Sequence, residues 1–166
     1  MKQPVKRYGT HKERRRKSIT KRYNKRQKEL HRYMRIGIGL ATALISLTAF
    51  GGGMSMILGS DEFAYPIAWL QGTPFKDYTI PGSVLAFVVG GSCLIASITN
   101  FSHKRITLPL SMVAGVILSI FVMVEAYFLR NVTYRPIEAE IFYFFWGVAI
   151  FGFSTYLYSI KHVPSA

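Results

Sequence analysis

The stretch Thr107 to Leu129, TLPLSMVAGVILSIFVMVEAYFL, runs for 23 residues with a single charge, Glu125. At 1.5 Å per residue an α-helix of this length reaches about 35 Å, enough to cross a hydrocarbon core of about 30 Å. Three more runs of the same kind lie around it. Ile36 to Leu58 is uncharged over 23 residues, and Gly82 to Phe101 and Ile141 to Ile160 are uncharged over 20 each. In lipid every backbone N–H and C=O must be paired within the protein, so runs this long are read as helices. The short alternating segments of a transmembrane β-barrel do not occur.

The rest of the chain agrees. The protein has 166 residues, is 50% hydrophobic and only 17% charged, and carries a net charge of +13. Fifteen of its 21 Lys and Arg lie in residues 1–35. A soluble globular enzyme, a disordered chain and a disulfide-stapled domain are all excluded by this division into a basic arm and an apolar body. The first run is too long for a signal-peptide core and lacks a small-residue cleavage site, so it reads as a retained span. The fold class expected is all-α: four transmembrane helices in an antiparallel bundle. The expected domains are a basic arm at 1–35, a membrane domain at 36–160 with spans 36–58, 82–101, 107–129 and 141–160, and a tail at 161–166.

Orientation follows from the basic residues. With the arm inside, 18 Lys and Arg are cytoplasmic and only Lys76, Arg130 and Arg135 are external. The reverse orientation violates the positive-inside rule. A multi-pass protein of the cell membrane with both termini cytoplasmic is therefore expected.

The loop from Gly59 to Pro81 is the most structured-looking connection. Pro66 to Leu70 reads as a turn of helix, which Gly72 can end in the left-handed conformation. Pro81 suits the first turn of the next helix, where a missing N–H costs nothing. The plain reading of the loop is a lid over the outer end of the bundle; the alternative makes it a small-molecule or partner site. Within it, Trp69-Leu70-Gln71-Gly72-Thr73-Pro74-Phe75-Lys76-Asp77-Tyr78-Thr79-Ile80-Pro81-Gly82 resembles a W-L-x-G-T-P-F-x-D-Y-x-I-P-G string. That string is found between the first two spans of uncharacterised small four-helix membrane proteins of bacteria. Val88-Val89-Gly90-Gly91-Ser92, Gly52-Gly53 and Val124-Glu125 extend the resemblance over residues 36 to about 155. It implies four spans and this loop, and no activity. The long basic arm departs from the pattern.

Few residues carry chemistry. Glu125 is the only ionisable group inside a run. An intramembrane carboxylate costs at least about 2.5 kcal/mol at the bilayer centre and marks either a structural pairing or a pathway. Tyr78, Arg130 and Arg135 lie on the same expected side, and Asp77 adjoins Tyr78, so Glu125, Tyr78, Asp77, Arg130 and Arg135 form the candidate polar site. The plain reading pairs Glu125 with loop donors or with N–H groups at the start of the second span; the alternative makes it a proton-coupling or substrate-binding group. Cys93 is single and sits in the second run. His11, His31, His103 and His162 lack metal-ligand spacing, so neither a metal nor a cofactor is expected.

In the arm, Arg14-Arg15-Arg16-Lys17 and Lys21-Arg22 form the strongest cluster. It serves retention and orientation on the plainest view. Next to a span it also attracts anionic lipid, by about 1 kcal/mol per charge; nucleic acid ranks last among its partners. Small-xxx-small pairs mark places for close packing: Gly39 with Ala43, Gly51 with Ser55, Ala86 with Gly90, Gly115 with Ser119. The expected protein is not an enzyme. It is a structural or accessory membrane component with a protein partner or self-association. The alternative is a small oligomeric transporter using Glu125 as its coupling carboxylate.

Overall fold

The computed structural model describes residues 11–59, 66–102, 106–131 and 137–162. It is all-helical, and the described residues contain no strand. Helix α1 spans His11–Leu58. Helix α2 spans Thr79–Phe101. Helix α3 spans Thr107–Phe128 and α4 spans Ile137–His162. Four helical segments are long and apolar enough to cross a membrane: Lys25–Leu58, Thr79–Phe101, Thr107–Phe128 and Ile137–Ile160. The chain is thus a multi-pass membrane protein by the length and composition of its helices.

Two compact units divide the chain. Residues 1–34 form the first, within which Lys25 Nζ lies 3.9 Å from Glu29 Oε1, an exposed pair one helical turn apart. Such a pair is worth only a few tenths of a kcal/mol. The side chains of Arg14, Arg15, Arg16, Lys17, Lys21 and Arg22 lie outside the described ones.

Residues 35–166 form the second unit. Its core is a set of seams at three- and four-residue spacing. Ile38, Thr42, Ile45 and Ala49 are buried on α1, and Ala86, Val89, Cys93 and Ala96 on α2. Leu108, Ser111, Ala114, Leu118 and Val122 are buried on α3, and Ile150, Ser154 and Leu157 on α4. This spacing returns to one face of each helix. The opposite faces are also apolar: Leu44, Leu47, Phe87, Ile98, Ile120, Phe145 and Phe153 are all exposed. In water such a surface would aggregate; against acyl chains it is the surface expected.

Small residues let the helices approach. A Cβ on Gly53 would lie 2.5 Å from the Gly82 carbonyl oxygen and 2.7 Å from the Ala86 Cβ, and one on Gly82 would lie 2.7 Å from the Gly53 oxygen. At these points α1 and α2 meet backbone to backbone. The closest joint between α3 and α4 is the same in kind, with Gly115 against the Gly147 oxygen and Phe151. Without a hydrophobic drive between helices in lipid, such contact is what holds spans together. Of the small pairs picked out by spacing, Gly39 meets Asn100 and Phe101, Gly90 meets Phe50, and Gly115 meets α4, whereas Gly51 has open space.

Helix α2 carries a seven-residue π-helical segment, Val84–Gly90, between two α-helical parts. The wider winding shifts the stripe that α2 presents, with Gly82 just ahead of the segment and Gly90 at its last position, both against α1.

Candidate functional site

Two regions gather most of the polar side chains that the helices bury or half-bury. The first is a set of hydrogen bonds between helices. Ser46 Oγ donates to the Gly90 oxygen (2.9 Å), and Ser97 Oγ donates to the Gly39 oxygen (3.1 Å). Asn100 Nδ2 donates to Ser111 Oγ at 2.8 Å, and Thr107 Oγ1 donates to the Thr99 oxygen at 2.7 Å. Arg35 Nη2 donates to the Asn100 oxygen at 3.2 Å, a carbonyl in the last turn of α2 that no helical N–H can reach. A cation there also opposes the negative end of the helix dipole.

The second region centres on Glu125, in the last turn of α3, and is reached by the segment before α2. Pro66 starts a 3-10 turn, Ile67–Leu70, which buries Leu70. Gly72 follows with φ of 85°, the left-handed value open to glycine. Thr73 Oγ1 donates to the Leu70 oxygen at 2.8 Å and the Tyr78 hydroxyl donates to the Pro66 oxygen at 2.9 Å, closing the segment on itself. Asp77 Oδ1 accepts the Thr79 N–H at 2.9 Å, which secures the chain where α2 begins. That hydrogen bond holds the exposed Asp77 carboxyl below its ordinary titration range. Pro81 falls in the first turn of α2.

Folded this way, the segment borders a partly open cavity of about 180 Å³ against α2 and α3. Leu70, Phe75, Tyr78, Phe121, Phe128 and Glu125 are among its walls. Phe75 and Phe128 meet edge to face, their centroids 5.7 Å apart. Glu125 also faces a second cavity of about 150 Å³, beside Ile45, Ala49, Leu118, Glu140 and Tyr143. It therefore stands between two cavities. No hydrogen bond or ion pair among the described residues involves its carboxylate.

Of the residues singled out by sequence, the structure brings Tyr78 and Glu125 to one cavity. Asp77 is exposed and accepts the Thr79 N–H just ahead of α2. Arg130 lies with its guanidinium carbon 4.5 Å from the Tyr127 ring centroid, a cation–π stack. Arg135 lies outside the described residues. Sequence reasoning missed Glu140. It set this residue in the polar link before Ile141, but α4 starts at Ile137 and Glu140 is buried in its first turn. The available signal was Pro136 just ahead of Ile137, with Glu138 and Glu140 following, the pattern of a helix start.

Compared with protein-family models, with curated proteins and with solved structures, the chain matches none.

Proposed function

We propose that this is a cell-membrane protein whose four spans form an antiparallel bundle with both ends in the cytoplasm, and that its role is structural or accessory rather than catalytic. The pairing of Gly39 with Asn100, Ser46 with Gly90 and Gly53 with Gly82 supports opposite directions for α1 and α2. The concentration of Lys and Arg at the arm supports the orientation. The loop string from Trp69 to Gly82 supports kinship with the small four-helix bacterial membrane proteins that it resembles. The observation that carries the accessory reading is the use of the buried hydroxyls and of Asn100. Ser46, Ser97, Asn100 and Thr107 all bond to another helix or to a backbone carbonyl, so they serve assembly.

A second reading is favoured by one observation. Glu125 faces two cavities and meets no donor among the described residues. That suits a small oligomeric transporter with Glu125 as its coupling carboxylate.

One experiment separates the two. The full chain is cross-linked in native membrane, purified, and also reconstituted in liposomes. The accessory reading expects a protein partner at fixed stoichiometry and no flux. Homogeneous self-association, with a proton or solute flux that Glu125→Gln abolishes, would overturn it in favour of transport.

A further inference from the structure

The partly open cavity beside the segment before α2 has a composition that selects among ligands. Its walls are almost wholly apolar, four of them aromatic, and Glu125 is the one carboxylate. Phe75 comes from the loop, Tyr78 from the residue before α2, and Phe121 and Phe128 from α3. A neutral apolar occupant would require Glu125 to hold a proton, whereas a cationic one is matched by its carboxylate. An anion would be repelled. A bare metal cation needs about six oxygen ligands to replace its water, far more than one carboxylate supplies. A primary ammonium brings three N–H donors that each need an acceptor.

A quaternary ammonium has none of these demands. It carries a full positive charge, no N–H, and methyl groups that sit well on aromatic rings. The cavity's volume of about 180 Å³ is of the scale that holds one such group; an apolar protein cavity of about 150 Å³ takes a benzene molecule. Glu140 faces the adjoining cavity on the other side of Glu125 and adds negative potential on that side.

From this chemistry we infer that the cavity bounded by Phe75, Tyr78, Phe121, Phe128 and Glu125 binds a quaternary ammonium group. The group can come from a free solute of the choline type or from the headgroup of a phosphatidylcholine lipid. The inference is independent of the choice between accessory and transport roles, because binding is read at equilibrium.

The test uses the full chain in a maltoside detergent, which has no choline headgroup. Choline and its neutral carbon analogue, 3,3-dimethylbutan-1-ol, are titrated calorimetrically. Choline should bind at least about tenfold more tightly than the analogue, the scale of a desolvated cation–π and charge contact. Glu125→Gln should weaken choline by about tenfold or more and leave the analogue unchanged. Phe75→Leu lies in the loop, outside the helix seams. It should weaken choline while the protein stays folded at the temperature of the titration, and it serves as the second variant should Glu125→Gln unfold. Equal affinity for choline and its analogue, no choline binding to the folded protein, or choline affinity unaffected by both variants would each overturn the inference. Nanodiscs made with phosphatidylcholine or phosphatidylethanolamine at equal net charge then separate the sources. Weaker apparent choline binding in the phosphatidylcholine discs supports a lipid headgroup, and equal binding in both supports a free solute.

Discussion

Gly53 and Gly82 are the residues on which the helix pairing turns. Each would place a Cβ under 3 Å from the other's backbone oxygen, and backbone cannot yield as a side-chain tip can. Gly53→Ala should therefore push α1 off α2 and cost about 1–3 kcal/mol, the usual range for overpacking. Gly51→Ala, on the same helix with open space around it, should be neutral or slightly stabilising. Unfolding of both variants in mixed micelles checks the contrast, and equal losses would deny the close approach. Asp77 acts at the same scale. Its carboxylate accepts the Thr79 N–H, so its titration in the folded chain lies below its unfolded value. The stability it gives is complete above the unfolded value, near pH 4. It is lost as pH falls through the lowered folded value. Asp77→Asn should lower stability modestly at neutral pH and flatten the stability–pH curve in that window, as followed by thermal unfolding.

At the scale of elements, the helices were legible wherever an uncharged run was long. The run from Thr107 matches α3 closely because lipid, helix length and composition impose the same limit. Helix starts were less legible, since a charge ends an uncharged run but not a helix. Glu138 and Glu140 fit well in a first turn, where the dipole favours acids. The burial of Glu140 needed the packing of α4 on α3, which no local pattern carries. The glycines that mattered were only partly legible, for the same reason. Gly115 was marked by its spacing to Ser119, but Gly53, Gly82 and Gly147 gain their meaning from the facing helix. Arg35 reads as one more charge of the arm, yet in the structure it reaches the Asn100 carbonyl. Arg35→Ala should strand that carbonyl and cost about 1 kcal/mol, with Lys recovering part of it; chemical unfolding of the three proteins measures this. The arm before it is a separate matter. Residues 1–34 form their own unit, so removal of residues 1–30 should leave the four helices folded. It should also weaken binding to anionic vesicles, and that binding should fall with salt. Equal binding to anionic and neutral vesicles by the full chain would dismiss the lipid role.

The whole molecule is defined by where its segments lie relative to the bilayer. Four helices of sufficient length and apolar surface follow from the chain itself. Their proposed direction rests on the Lys and Arg count: on that proposal the arm and the tail are cytoplasmic and the Gly59 to Pro81 segment is external. On the same proposal the Glu125 cavity, bordered by that segment, lies near the external surface. Cys93 is buried and is the single native thiol, so a Cys93→Ser background accepts new cysteines as reporters. The most direct measurement places single cysteines at Ser60 and at Ser165 and treats intact cells with an impermeant thiol reagent. The account predicts labelling at position 60 in intact cells and at position 165 only after permeabilisation. Labelling at 165 but not at 60 in intact cells would contradict it.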